Sequence, residues 1–369
     1  MKIGFVLPGF SADDRDWCIP ALLNLVRLAA RDYEVHVFAL EYPFRRDVYT
    51  VHGATVHSMN GRNRGKLYAP RLWSDTLSAV REEHRRAPFD ILHGFWANKP
   101  SLIALFAGRA LSVPVVVSVA GGELVGLRSI GYGGQLTFFE RTMVQWTVRG
   151  ADRLTVGSRY LRGIAERWRT DTSLLPLGVD SSMFSPGQEV KAHRSIRILN
   201  VGSLIPVKGQ PRLLDAVAQL ARRDLCLEIV GSGRLEQELC QKARRLRITN
   251  HFEISKPVAH DALVGKYRTA DLIVQASQHE AQGMAVLEAA SCGVPVAGTP
   301  VGVAPELAGA GGAFVSGGSN GIDLANIMVS ALQAREELGH RAREIVERDY
   351  SLEATWHKWM DLYQQVRHK

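Results

Sequence analysis

The chain opens on an apolar run, KIGFVLP (2–8), that stops at Pro-Gly. A segment of helical period follows, IPALLNLVRLAA (19–30), and then a second apolar run, YEVHVFAL (33–40). Strand, helix and strand at this spacing predict a βαβ unit. Short apolar runs recur at DILHGF (90–95), VPVVVSV (113–119) and ADRLTVGS (151–158). They are apolar throughout rather than alternating, as strands of a parallel sheet covered on both faces should be. Around SSMFSPGQEVKAHRS (181–195) the pattern breaks into polar residues with Pro186 and Gly187. A second series then begins: IRILNVG (196–202), LCLEIVG (225–231), DLIVQAS (271–277) and VPVAGT (294–299). The pattern therefore predicts an α/β protein of two Rossmann-like, doubly wound domains, over 1–184 and 195–350, with a terminal helical segment at 351–369.

Composition changes this picture little. The chain has 369 residues, 46% hydrophobic and 22% charged, which is enough apolar material for two cores. Cys18, Cys226, Cys240 and Cys292 show no CxxC spacing. That argues against a disulfide framework and against a cysteine zinc site, and a reducing cytoplasm is the expectation. No secretory leader is read in MKIGFVLPGF. The most apolar stretch, 101–120, is interrupted by Arg109 and Pro114 and reads as a buried helix followed by a buried strand.

Ligands of doubly wound sheets bind on the loops beyond the carboxyl ends of the strands. One such loop, QHEAQG (278–283), leads into a helix at MAVLEAASC and carries Glu280, with Glu288 eight positions on and Gly283 between them. A helix N-terminus seats phosphate, and Gly283 allows close backbone approach. A carboxylate in the loop can accept from sugar hydroxyls, and one further along the helix can take both hydroxyls of a ribose. The spacing suits a nucleotide-sugar, although a loop acid and a solvated helix acid would look the same. A second loop, in ILNVGSLIPVKGQPRLL (198–214), brings Lys208 within reach of a diphosphate, or simply to the surface. The turn IVGSG (229–233) contains GxG without a third glycine and reads equally as a tight turn.

In order, the motifs LLPLGVDSSMFSP, VGSLIPVKG, IVGSG, FEISKPVAHDAL, HEAQGMAVLEAASCGVPVAGT and VGVAPELA follow one another through 174–308. Here the chain resembles the family-4 group of retaining glycosyltransferases of the GT-B fold. The resemblance extends more loosely to the first strand, DILHGFWANKP and the terminal helix. It implies two domains facing across a cleft, with the last helix crossing back to the first. It also implies a cytoplasmic, metal-independent transfer of a sugar from a UDP- or GDP-linked donor to a hydroxyl, with no cofactor. By the same resemblance Glu280 contacts the donor sugar, Glu288 holds the ribose and Lys208 meets the diphosphate. Gly202, Ser203, Gly231, Gly283, Met284, Ala285 and Val286 would line the nucleotide, and Pro257 and Val258 the base. On the acceptor side stand Gly9, His93, Gly121, Gly122 and Glu123. The pattern departs from the family at Ser203 (usually arginine), Lys256 (usually glycine), Gln282 (commonly aromatic) and Ala120 (often histidine), and these positions bear on which donor is used.

His93 reads either as an acceptor-site base or as a structural histidine, and Asp14-x-Asp16 either as a metal-diphosphate ligand pair or as turn chemistry. The net charge is +8, with Arg45, Arg46, Arg62, Arg64, Lys66, Arg71, Arg81, Arg85 and Arg86 crowded into the first domain. Interleaved with Tyr68, Leu72 and Trp73, they would suit peripheral contact with an anionic membrane at its inner face. No motif supports nucleic-acid binding. A nucleotide-sugar epimerase or hydrolase and a catalytically silent binding protein share the expected fold. A dinucleotide oxidoreductase is disfavoured because the first βα turn lacks GxGxxG.

Overall fold

The computed structural model describes residues 1–61, 69–187, 195–220, 224–318 and 320–367. The chain divides into two compact units. One comprises 1–157, 162–178 and 355–369; the other comprises 158–161 and 179–354.

In the first unit the elements run β1 (Lys2–Gly9), α1 (Pro20–Asp32), β2 (Glu34–Tyr42), β3 (Arg46–Val51), β4 (Ala54–Met59), α2 (Ala69–Arg86), β5 (Ile91–Phe95), α3 (Lys99–Leu111), β6 (Val115–Val119), α4 (Phe138–Gly150), β7 (Arg153–Val156), α5 (Arg159–Ala165), whose residues 159–161 group with the second unit, and β8 (Ser173–Leu174). The sheet order is β3-β4-β2-β1-β5-β6-β7-β8, parallel except for β3, which pairs antiparallel with β4. The β3–β4 hairpin turns at His52-Gly53, both at positive φ, as a two-residue hairpin loop requires. The continuous apolar runs are the central strands: β5 and β6 are buried at every position.

The second unit follows as β9 (Ile196–Val201), α6 (Gln210–Leu220), β10 (Leu225–Val230), α7 (Glu236–Arg245), β11 (Phe252–Ser255), α8 (Leu263–Thr269), β12 (Leu272–Gln275), α9 (Met284–Ser291), β13 (Val296–Gly298), α10 (Ala304–Gly309), β14 (Ala313–Val315), α11 (Gly321–Gln333) and α12 (Arg335–Asp349). Its sheet is wholly parallel, in the order β11-β10-β9-β12-β13-β14. Successive residues of its strands serve opposite cores. Ile198, Leu272 and Val274 pack with Leu213, Leu239 and Met328 under α6, α7 and α11. Leu199 and Ile273 pack with Leu287, Ala290 and Val346 under α9 and α12. Two-sided burial is why these strands read as unbroken apolar runs.

The last helix, α13 (Leu352–Arg367), returns to the first unit. Trp359 is 1% exposed and donates from Nε1 to the Pro176 carbonyl at 3.1 Å. Trp356 Nε1 donates to Asp32 Oδ2 at 3.0 Å. No described helix is long and apolar enough to cross a membrane.

Candidate active site

In the second sheet the connections reverse direction between β9 and β12, the place where open α/β sheets bind ligands. The loop after β9 carries Gly202 and Ser203 and ends in the short helical turn Pro206–Lys208. The loop after β12 carries Ser277, His279 and Glu280 and ends at Gly283. The two are laced together. Gln278 N donates to Val207 O at 2.7 Å, and Arg212 caps the Ala276 carbonyl. Gly209, at φ +67°, packs so closely that a Cβ there would lie 1.9 Å from the Ala276 oxygen, so only glycine fits.

This lacing brings Lys208 Nζ to 2.6 Å from Glu280 Oε1, and Ser277 Oγ donates to the same oxygen at 2.7 Å. Both side chains are partly exposed, so the pair lies at the surface of the carboxyl-end loops rather than in the core. Gly283, at φ +98°, starts α9, whose first amides, at Met284 and Ala285, precede any intrahelical acceptor.

Glu288 faces inward. It is 6% exposed, with Oε1 2.9 Å from His260 Nε2 and Oε2 accepting from Tyr267 OH at 2.8 Å. Burial and the carboxylate beside it push the Tyr267 hydroxyl well above its ordinary pKa, so it stays a donor. His260 sits on the loop after β11 that also carries Pro257 and Val258, both exposed. The Glu288–His260 contact therefore ties the expected base-binding loop to α9. Gly231 N donates to Ser255 O at 3.0 Å, which closes the turn after β10 onto the same edge. His260, Tyr267 and Ser277 are missing from the sequence-derived set. Ser277 stands three residues before Glu280 and was within reach of pattern reading; the other two are 28 and 21 residues from Glu288 and were not.

In the first unit, Gly121, Gly122 and Glu123 form the loop after β6. Glu123 turns into its own loop, accepting from Gly121 N at 2.6 Å, Ala97 N at 3.0 Å and Ala120 N at 3.1 Å. Burial raises its carboxyl pKa, and four backbone amides, its own and those of Ala120, Ala97 and Gly121, oppose the rise. Glu123 thus clamps the loops after β5 and β6 together. Against Gly121 lies the indole of Trp96, a residue held at φ +65° and absent from the sequence-derived set. Gly9 closes β1, where the next residue, Phe10, donates from N to Tyr42 O.

His93 requires a correction. Of its two readings the structural one fits: it sits inside β5, 0% exposed, with Nδ1 2.8 Å from Tyr363 OH and Nε2 2.8 Å from Ser118 Oγ. Burial drives its pKa down to about 3. Both ring nitrogens are committed to the core, which leaves no nitrogen for an acceptor. Asp16 and Asp14 are turn residues: Asp16 Oδ2 accepts from Ala12 N and Tyr42 OH, and Asp14 Oδ1 from His52 N. The basic stripe also changes. Leu72 is buried, Arg46 pairs with Asp75, and Arg86 pairs with Glu82 and Glu83. Arg62, Arg64, Lys66 and Tyr68 lie outside the described residues.

Two parallel α/β units of this order are the architecture of a GT-B glycosyltransferase. The chain superposes on sucrose-phosphate synthase of Thermosynechococcus elongatus with a TM-score of 0.81, at 18% identity, over 99% of this chain and 98% of that one. It matches Anabaena HepE, solved in complex with UDP and glucose, with a TM-score of 0.77 at 20% identity, over 99% and 100%. Residues 184–348 match the family profile described as glycosyl transferases group 1, and residues 21–178 that of the glycosyl transferase 4-like domain. The chain belongs to the group 1, family-4 glycosyltransferases. D-inositol 3-phosphate glycosyltransferase of Geodermatophilus obscurus is 29% identical over 351 residues, covering 86% of this chain and 77% of that one. The GDP-mannose-dependent alpha-(1-6)-phosphatidylinositol monomannoside mannosyltransferase of Mycolicibacterium smegmatis is 30% identical over 246 residues, covering 60% and 62%.

Proposed function

We propose that this glycosyltransferase moves a hexose, with retention of anomeric configuration, from a UDP- or GDP-linked donor to an acceptor hydroxyl. The observation that carries the reading is the 2.6 Å contact of Lys208 with Glu280 beside the start of α9. Lys208 and the first α9 amides would take the charge that develops on the departing diphosphate, without a metal. Glu280 would orient the sugar through its second oxygen. Glu288, held by His260 and Tyr267, keeps one further acceptor site on each oxygen for the two ribose hydroxyls. Relatives that act on inositol phosphates, and the net charge of +8, favour a phosphorylated polyol or lipid-linked acceptor at the loops around Trp96 and Gly121. Peripheral membrane contact would then use the first unit, where Phe138, Phe139 and Trp146 of α4 are exposed.

The test is calorimetry with a panel of UDP-, GDP-, ADP- and TDP-sugars on the wild type and on Glu288→Ala, followed by NMR of the product's anomeric carbon. One donor should bind and should be lost in the variant, and transfer should retain configuration. A folded protein that binds no donor would sink the reading. Turnover of donor without acceptor would point to the hydrolase or epimerase alternative.

A further inference from the structure

The face of the first sheet beneath α2 carries a polar cluster that the transfer chemistry does not use. His36 of β2 and His57 of β4 are 6% and 5% exposed, on neighbouring parallel strands where Phe38 pairs with His57. Period-two alternation puts His36, Phe38 and His57 on one face. Glu83, 9% exposed, descends onto that face from the last turns of α2. His36 Nδ1 is 3.1 Å from His57 Nε2 and 3.9 Å from Glu83 Oε2, and the three ligand atoms all lie within 4.8 Å of one another.

We propose that His36 Nδ1, His57 Nε2 and Glu83 Oε2 bind a zinc(II) ion that clamps α2 to β2 and β4. Two donors on a tetrahedral zinc at ~2.0–2.1 Å stand ~3.3 Å apart, which the observed 3.1 and 3.9 Å bracket. Two histidines, one carboxylate and an open fourth position form a zinc ligand set. The surroundings fit as well. His36 Nε2 lies 3.0 Å from Glu34 Oε1, so a carboxylate fixes the ring with Nδ1 turned inward, as carboxylates behind metal-bound histidines do. Arg86 holds Glu83 by Oε1 at 2.8 Å, which leaves Oε2 facing the histidines. Lys2 reaches Glu34 at 3.2 Å and the Glu83 carbonyl, and Arg86 also binds Glu82. With Asp47 and Arg46, which line the adjoining cavity, four carboxylates face three cations before the ion enters. A cavity of about 360 Å³, lined by His57, Ser58, Met59, Glu82 and Glu83 among others, gives an entry path and room for a water in the fourth position. When zinc binds, neutral His57 carries its proton on Nδ1.

The experiment uses the full chain, stripped with a chelator and titrated with zinc chloride in a calorimeter, with cobalt(II) as a spectroscopic substitute. One equivalent should bind, raise the thermal midpoint, and give the intense visible bands of four-coordinate cobalt. His57→Gln and Glu83→Gln should each weaken zinc binding by about tenfold or more, and Glu34→Gln, acting through His36, by ~10-fold. Donor binding should be unchanged in all three. Zinc binding that these substitutions leave untouched would overturn the assignment, and so would its absence in folded wild type. Should His57→Gln fail to fold, Glu83→Gln and the cobalt spectrum of the wild type decide the question.

Discussion

At the scale of single residues, Lys208 and Glu280 neutralise each other, and on the proposed function a donor diphosphate would compete for the ammonium. Lys208→Ala should therefore lower kcat by ~10²–10³-fold. Donor affinity, measured by calorimetry, should fall far less, because the α9 amides remain. His93 carries a pH signature instead of a catalytic one. Folded, it stays neutral down to about 3; unfolded, it takes a proton near ~6.5. The unfolded chain binds more protons between those values. The His93 contribution is thus fully present above ~6.5 and is lost as pH falls, by up to ~1.4 kcal/mol per pH unit. Urea denaturation between about pH 7 and pH 4 should show a shallower acid loss for His93→Gln than for wild type. The loop positions of Glu280 and Lys208 were legible because each stands in a glycine-punctuated loop after an apolar strand. His93 kept two readings in the sequence because its burial is set by Ser118 and Tyr363, 25 and 270 residues away. The fixing of Glu288 by His260 and Tyr267 was equally hidden, since no local pattern records which side of a short helix turns inward.

At the scale of elements, the loops after β9 and β12 act as one piece because Gly209 lets them touch. Gly209→Ala would drive its Cβ into the Ala276 carbonyl at a positive φ. It should cost ~1–3 kcal/mol of stability and weaken donor binding by parting Lys208 from Glu280. Gly265→Ala is the control: in α8 nothing lies within 4 Å of the new methyl, and a gain of ~0.5–1 kcal/mol is expected. Chemical denaturation and donor titration of both variants separate the two cases. The buried parallel strands stood out in the sequence because burial on both faces erases polar alternation. The β3–β4 hairpin did not. Its strand Arg46–Val51 is largely exposed at the sheet edge, and RDVYTV has no apolar run to report.

At the scale of the molecule, the first unit is discontinuous in the chain. Its last piece, 355–369, comes after the whole of the second unit's main segment. Trp359→Ala should remove ~3–5 kcal/mol. Calorimetric scanning should show that loss in the transition of the first unit, with the transition of the second, followed through its bound donor, left in place. The doubly wound character of both units was readable from strand spacing alone. That the terminal helix serves the first unit came only from the family resemblance, because an aromatic-rich amphipathic segment does not say which core it fills. This threading sets an order of events at the ribosome. The second unit's main segment, 179–354, emerges ahead of the remainder of α13 and can close as soon as it clears the exit tunnel. The first unit, although its other segments are synthesised earlier, lacks the Tyr363 and Trp359 contacts to His93 and Pro176 until that stretch of α13 has followed. A truncation within α13 would therefore harm the half of the protein that was translated earlier.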